Sequence, residues 1–509
     1  MGTGAVTLHR ARFATCHELR ALLSFAPCPD SVLLGMRRDL LFFKRFVGVR
    51  PTKNRREIGN TLIVGPTRSG KGLLATSQLL SWNHSAIVND IKGELFAQTA
   101  GYRATLGDVY VIDPAGVGHS FDPLHGKKTE DAFYSSAKHL LYQPDERDKV
   151  FTQRSIGMLS RLFTAARIEG AAPFPYVRSL LRSSLQRCAE RLNRVDPHLA
   201  TRFLYADFHE ANFENKFLVS SWETLTAWLE PLLTETVIRS LTRSDFTPEQ
   251  IIRSGKPVTV YLRWKEQDLL SLSPLVRLLW GTLIDGLITI YDDNQGRACR
   301  PVLLLIDEAG RTAIPALADH ATTVVGRGIY LWIAIQSLSQ LEAVYGRARA
   351  QVLKDNMETH IYYPPNDIVT AQHIAEWLGD KSAYAHSMTS KDGEETSEGL
   401  AERGVPLLTA QEISQLSDEE IICFHRRLRP FKITRMDWRR HEALKQRRGI
   451  PAPELSALPQ IADMPMENAQ PQSYRFPSGY VDVDLLHKVR EKTIIDLSRQ
   501  QQEEADRRN

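Results

Sequence analysis

Gly65-Pro-Thr-Arg-Ser-Gly-Lys-Gly72 sets two glycines around a short loop and ends it on a lysine. A backbone curling through Gly65 and Gly70 can turn successive N–H groups onto one point, where they bind anionic oxygen. Lys71 adds a mobile positive charge, and the helix expected over Leu73–Leu80 adds the partial charge of its N-terminus. Gly65, Pro66, Thr67, Arg68, Ser69, Gly70, Lys71 and Gly72 are therefore the candidate cradle for the phosphates of ATP. The hydroxyl that ordinarily follows the lysine and binds Mg²⁺ is replaced by Gly72. The ion then needs phosphate oxygens, water and a carboxylate from elsewhere, with Ser69 and Thr76 as the nearest hydroxyls.

The carboxylates stand at the end of Pro301-Val-Leu-Leu-Leu-Ile-Asp-Glu308. Asp307 is suited to complete the Mg²⁺ shell and Glu308 to polarise the attacking water. Gln336 ends the apolar run Ile329–Ile335, where an amide can orient that water or sense the γ-phosphate. Arg327 lies in a loop between Gly326 and Gly328 and is a candidate arginine finger for a neighbouring subunit's ATP, with Arg311 as its competitor. Lys71 and Asp307 are 236 positions apart, a gap that fits a domain inserted into a nucleotide-binding core better than a simple kinase.

These residues need strands that end at one edge. Leu62–Val64, Ala86–Val88 and Val109–Ile112 are short apolar runs closed by Gly, Pro, Asp or Asn, the texture of buried parallel strands, and strand texture returns at Val258–Leu262, Val302–Ile306, Tyr330–Ile335 and His360–Tyr363. Residues 129–250 show helical periodicity and scarce glycine, which predicts an all-α insertion with Arg187, Arg191 and Arg194 on one face. Ile421–His425 and Phe431–Met436 read as an edge hairpin. The expected fold class is α/β, with a nucleotide-binding domain over 59–128 and 251–440 interrupted by that insertion.

The ends differ in texture. Residues 1–58 read as a basic arm (residues 1–60 hold 11 Lys/Arg against 4 Asp/Glu), with Leu40–Phe46 as an interfacial segment or a solvated one. Residues 441–509 read as a linker with six prolines between Pro451 and Pro477, followed by a helical tail. The 509 residues include 42% hydrophobic and 24% charged residues, which excludes a wholly disordered chain. A net charge of +4 is too mild to establish a nucleic-acid partner. Five scattered cysteines exclude a disulfide framework, and no run of about 20 apolar residues is found. The expected location is cytoplasmic.

Several strings taken together resemble the coupling-protein ATPases of type IV secretion, the TraG/VirD class among the RecA-like, FtsK/HerA-type motors. They are Gly65–Gly72, Val88-Asn-Asp-Ile-Lys-Gly-Glu-Leu95, Ile112-Asp-Pro-Ala-Gly116, Ser120-Phe-Asp-Pro-Leu124, Leu305-Ile-Asp-Glu-Ala309, Gly326-Arg-Gly328, Gln336-Ser337, Thr370-Ala371 with Leu378-Gly379, and Arg403–Leu408 with Glu412-Ile413. The resemblance runs from about Gly59 to Trp438 and tolerates Gly72. It implies a RecA-like P-loop domain with an all-α insertion and a ring, a homo-hexamer, driven by ATP and Mg²⁺. It also implies that Asp90, Lys92 and Glu94 lie near the nucleotide, with Asp90 among the binding residues. The implied partners are single-stranded DNA or a relaxase–DNA complex and the channel components of type IV secretion. Members of the class carry N-terminal membrane helices, so the expected membrane contact is peripheral, at the inner face and through a partner. Two other readings stay open: an ATP-switched adaptor that recognises relaxase or effector proteins, and a translocase on double-stranded DNA.

Overall fold

The computed structural model describes residues 10–38, 44–52, 55–141, 149–311, 314, 316–389 and 397–460. The strands in chain order are β1 (Leu23–Ser24), β2 (Val32–Arg38), β3 (Lys44–Val49), β4 (Thr61–Val64), β5 (Ser85–Ile91), β6 (Asp108–Asp113), β7 (Val117–Gly118) and β8 (Val258–Trp264). They continue as β9 (Val302–Ile306), β10 (Ile329–Ile335), β11 (Thr359–Tyr362), β12 (Asp380–Thr389), β13 (Ser397–Pro406), β14 (Glu420–His425) and β15 (Phe431–Thr434). All except β12 and β13 join one sheet in the order β1-β3-β2-β15-β14-β11-β4-β10-β9-β5-β8-β6-β7. From β11 to β6 every neighbour is parallel. Such a centre is covered on both faces, so its strands are apolar throughout and not alternating. β9 and β10 are buried at every position. Along β4, Leu62 and Val64 enter one core and Ile63 the other, as the period of two requires.

Two helices pack beside the loop of interest. α1 (Lys71–Leu79) follows β4, and α2 (Glu94–Leu106) follows β5. Between Glu130 and Arg253 the described residues form eight helices, and the residues expected to be all-α contain no strand. The 25-residue helix Leu269–Asp293 is long and apolar enough to cross a membrane by length and composition alone. It carries Pro274, and its neighbours are helices Glu130–Leu140 and Pro248–Arg253. Leu275, Leu279, Trp280 and Leu283 are wholly or almost wholly buried, which marks it as a core helix.

Three regions depart from the expected organisation. Residues of the basic arm form β1–β3, and β2 pairs with β15 through Thr434 and Met36. The hairpin β14–β15 is consequently interior: its open edge is covered by chain from the N-terminal end. Periodicity missed β2 because Val32–Met36 is buried and β-bulged at Leu33/Gly35, so it does not alternate cleanly. Third, residues 451–460 of the proline-rich stretch lie along the far edge, where Ala457 bridges Val117. Arg187 and Arg194 are exposed, but Arg191 pairs with Glu169 at 2.7 Å, so the three arginines are not one free face. Residues 39–43 and the tail from 461 lie outside the described residues.

Gln78 fastens the N-terminal strands to the helix that begins at the loop. Its Oε1 accepts from the Leu33 N–H at 2.6 Å and its Nε2 donates to the Ser31 carbonyl at 3.0 Å, in a fully buried setting. Gln78→Ala leaves both backbone groups unpaired and is expected to cost about 2–3 kcal/mol, read as a lowered urea midpoint.

Candidate active site

The loop follows directly from strand register. Ile335 lies opposite Val64, and the Gly65 N–H donates to the Ile335 carbonyl at 3.1 Å. On the other side of β10, Ile333 lies opposite Ile306, and the Ala309 N–H donates to the Ala334 carbonyl at 3.0 Å. β4, β10 and β9 therefore end level, and Gly65, Gln336 and Asp307 leave the sheet at one edge. In an open parallel sheet this carboxyl edge is where ligands bind.

Gly70 starts α1 with φ +110°, a conformation that penalises any Cβ. No side chain caps this helix, so its first N–H groups stay available for an anion. Gly65 is required for space: a Cβ there would stand 2.7 Å from the Cβ of Tyr363. By contrast, a Cβ at Gly72 would meet nothing within 4 Å, which leaves open room where the usual hydroxyl would stand. Thr76 is turned away, donating to Gln98 at 3.0 Å, whereas the Ser69 hydroxyl is buried under the loop.

Lys71 is the first residue of α1 and is almost buried. Its ammonium donates to the Gly65 carbonyl and, at 2.9 Å, to that of Pro66. Burial lowers its pKa, and the charges of Asp307 and Glu308 act the other way. Asp307 is pushed up to about 6, first by burial and then by Glu308, while Lys71 offsets part of the rise. The lysine and the acid pair thus share one electrostatic site. Glu308 has φ +56°, a strained value for a residue with a side chain. Its Oε1 faces the Gln336 amide at 3.5 Å.

Behind Glu308 runs a chain of charges that spacing in the sequence had not revealed. Arg311 pairs with Glu308 at 2.9 Å and donates to Glu266 at 2.7 Å, and Glu266 pairs with Lys92 at 3.2 Å. Lys92 also has a left-handed backbone, φ +90°. These contacts join the loops after β9, β8 and β5.

Asp90 and Arg327 stand differently from expectation. Both carboxylate oxygens of Asp90 accept from backbone, Leu95 N at 3.1 Å and Phe96 N at 2.7 Å, so the side chain caps α2. Burial raises its pKa to about 6, and its charge in turn raises that of Asp307. Arg327 precedes β10, as its place in the sequence requires. Seven residues of strand, roughly 23 Å at about 3.3 Å each, separate it from Gln336. It holds Asp292 with two contacts of 2.8 Å. The structure therefore does not bring Arg327 to the loop of its own chain.

Two further residues brace the loop. Arg435 donates to the Ser69 carbonyl at 2.9 Å and to Glu419 at 3.3 Å, and the Tyr363 hydroxyl donates to the Gly70 carbonyl at 3.5 Å.

A strand–loop–helix with a buried lysine, facing acids one strand removed, defines a P-loop nucleotide-binding domain of the RecA-like kind, here carrying an all-α insertion. Residues 42–460 match the type IV secretory system conjugative DNA transfer family, and the chain belongs to that family. It is 28% identical over 363 residues to the conjugal transfer protein TraG of Escherichia coli, covering 65% of this chain and 56% of that protein. It is 26% identical over 451 residues to VirD4 of Rhizobium radiobacter, covering 82% and 62%. The chain thus spans 56% to 62% of the length of these curated relatives. Among solved structures, the bacterial conjugative coupling protein TrwBdeltaN70 superposes with a TM-score of 0.63 at 15% identity, over 84% of this chain and 94% of that one. The shared fold is that of TrwB.

The raised pKa of Asp307 has a consequence for stability. An acid whose folded pKa lies above its unfolded value favours the fold below the unfolded pKa and loses that contribution as pH rises through the folded one. Asp307→Asn removes the buried charge. It is expected to stabilise the protein by about 2 kcal/mol at pH 8 and by much less at pH 4.5, read from unfolding midpoints at both pH values.

Proposed function

We propose that this chain is a magnesium-dependent ATPase that acts as a homo-hexameric coupling protein. It carries single-stranded DNA, or a relaxase–DNA complex, towards the channel components of a type IV secretion system. Its place is the cytoplasmic face of the membrane, reached through a membrane partner. The observation that carries the reading is the common edge on which Lys71, Asp307, Glu308 and Gln336 meet. The relatives support it by their descriptions: TraG and VirD4 through conjugal transfer and the shared family, and TrwB as a plasmid coupling protein solved with a non-hydrolysable ATP analogue and with ADP and Mg²⁺.

The residues fit the metal they are assigned. Asp307 is a buried carboxylate with a second acid beside it; Lys71 offsets part of its charge and Arg311 pairs with Glu308, which leaves Asp307 a donor that a divalent cation would complete. Asp307 would hold the ion, with the open space at Gly72 leaving room for its water and phosphate ligands. Magnesium supplies charge neutralisation at the β- and γ-oxygens. In this reading Lys71 exchanges its two loop carbonyls for phosphate oxygens. The loop N–H groups from Gly65 to Gly72 hold the remaining phosphate oxygens in the geometry for in-line attack. Glu308 takes the proton of the attacking water, and Gln336 orients that water. Arg311 fixes the carboxylate of Glu308 from behind. Arg327, at the far end of β10, can act only on a neighbour's nucleotide, after leaving Asp292. Asp90 acts indirectly, by shaping the loop before α2 and by its field at Asp307.

Lys71→Ala is expected to lower turnover at least about 100-fold, near 3 kcal/mol of barrier, while DNA binding persists. Arg311→Ala is expected to reduce kcat about tenfold with KM changed less than about threefold, because the contact orients the base without touching substrate. The ATPase rate measured with no DNA, with single-stranded DNA and with duplex decides the coupling. Stimulation by single strands, with affinity falling steeply as salt rises, is the expected result. Stimulation by a protein substrate alone identifies an adaptor, and preference for duplex identifies a double-strand translocase.

A further inference from the structure

One buried amide stands directly behind the acid pair. Asn89, near the end of β5, lies between β9 and β8, opposite Ile306 on one side and Leu262 on the other. It shares a face of the strand with Ile87 and Ile91, both part of an apolar core, and is only 3% exposed. A polar group in such a place is costly unless its hydrogen bonds are made.

Both are made. The Asn89 Nδ2 donates to the main-chain carbonyl of Asp307 at 3.0 Å, and its Oδ1 accepts from the indole N–H of Trp264 at 3.1 Å. An indole only donates and a carbonyl only accepts, so the bridge needs a side chain that does both, and this fixes which way the amide faces. Trp264 ends β8 and is 1% exposed, so water has no access to replace either bond. Neither residue belongs to the catalytic set described above.

The carbonyl that Asn89 holds belongs to the peptide between Asp307 and Glu308, and the tilt of that peptide sets φ of Glu308. At +56° this is a left-handed backbone, which a residue with a side chain keeps only under constraint. The other end of the same peptide is held as well, because the Glu308 N–H donates to the Asp307 carboxylate. Released from Asn89, the peptide can rotate towards an ordinary conformation. That rotation carries the Glu308 carboxylate away from Gln336 and takes the N–H from Asp307.

Trp264 has a second hold at this edge. Its carbonyl accepts from the Lys92 N–H at 2.9 Å, and Lys92 is the other left-handed residue of the charge network, φ +90°. Two residues further along, Glu266 reaches the Glu308 side chain through Arg311. The end of β8 thus grips Glu308 twice, its main chain through Asn89 and its carboxylate through Arg311.

We propose that Asn89 is a positioning residue for hydrolysis: bridged to Trp264, it locks the Asp307–Glu308 peptide in the orientation that presents Glu308 to the attacking water. The proposal rests on the ATP-site reading, in which Glu308 is the base, and adds the constraint that keeps that base in place. Asn89 touches neither nucleotide nor metal, so its loss acts on the chemical step and not on binding.

The test measures ATP turnover and ATP affinity on the full chain. Asn89→Leu, similar in size and uncharged, removes both bonds, whereas Asn89→Asp keeps the acceptor for Trp264 and loses the donor to Asp307. Asn89→Leu is expected to lower kcat about 30-fold, by the same factor at about pH 6 and pH 8, with KM and ATP affinity within about threefold. Asn89→Asp is expected to show a similar deficit at about pH 8 that shrinks at least about threefold by about pH 6, relative to the unmodified protein. The reason is that a protonated acid donates to the carbonyl as the amide did. Trp264→Phe, which keeps a ring and loses the N–H, is expected to lower kcat about threefold. Turnover within about twofold of the unmodified protein in Asn89→Leu overturns the proposal. So does a loss of kcat matched by an equal loss of ATP affinity, the mark of a merely structural role. Where Asn89→Leu fails to fold, Asn89→Asp decides alone, and a deficit that does not ease as pH falls overturns the assignment. Failure of the underlying reading looks different: Glu308→Gln then hydrolyses ATP at the unmodified rate.

Discussion

The site depends on register. β4, β10 and β9 are parallel, and their pairing sets Val64 opposite Ile335 and Ile306 opposite Ile333, so the three strands run out at one edge of the sheet. Because the side-chain period of a strand is two, a slip of one residue in β9 would send Asp307 to the opposite face. Such a slip is opposed by the whole strand: Val302 to Ile306 are all buried, and alternate residues fill separate cores. Chemistry at the edge is thus specified by packing in the middle. The adjacent tryptophan at Trp332, fully buried, adds a large side chain whose displacement no small shift can accommodate.

Holding three charges at this edge is costly, and the structure shows how the cost is spread. Asp307 and Glu308 raise one another's difficulty, and Lys71 offsets part of it. Glu308 is further stabilised by Arg311, and Arg311 by Glu266. Glu266 is largely solvent-accessible, so the network passes charge from a buried edge to a hydrated surface. Buried ion pairs seldom add net stability. Two residues of this network, Lys92 and Glu308, also hold left-handed backbones, which cost of order 1 kcal/mol or more each. Strain gathered where charges converge is better explained by function than by folding.

The same network has a structural address beyond the nucleotide. Glu266 lies in the short turn that leads directly into Leu269–Asp293, and that helix packs on Glu130–Leu140, the first helix of the insertion. Asp285 of the long helix approaches His139 of the insertion at 3.8 Å and His320, in the helix Leu317–Thr323, at 3.7 Å. A contiguous, rigid element therefore runs from the acid pair to the all-α domain. The insertion leaves the sheet after β7 and returns before β8, and Glu266 follows the far end of β8.

Much of this was legible in the sequence, and the exceptions have a common cause. Loop, acid pair and Gln336 are each encoded locally: a glycine pattern, an apolar run with a polar end, a strand with a terminal amide. The parallel core was legible for the same reason, since strands buried on both faces announce themselves as unbroken apolar runs. Asp90 was found, but the sequence cannot show that its carboxylate binds the N–H groups of its own following helix. Arg327 was read from the sequence as a finger for a neighbouring subunit, and the structure adds that it stands before β10, away from the loop of its own chain, paired with Asp292. β2 was unreadable because its bulge against β3 breaks alternation and because its other strand partner, β15, lies far away in the chain. Arg435 is the limiting case. It braces Ser69 across 366 positions, and no periodicity, composition or local motif contains a relation of that kind. What the sequence hides here is the set of long-range hydrogen bonds to backbone carbonyls. Those bonds decide how firmly the phosphate loop is held.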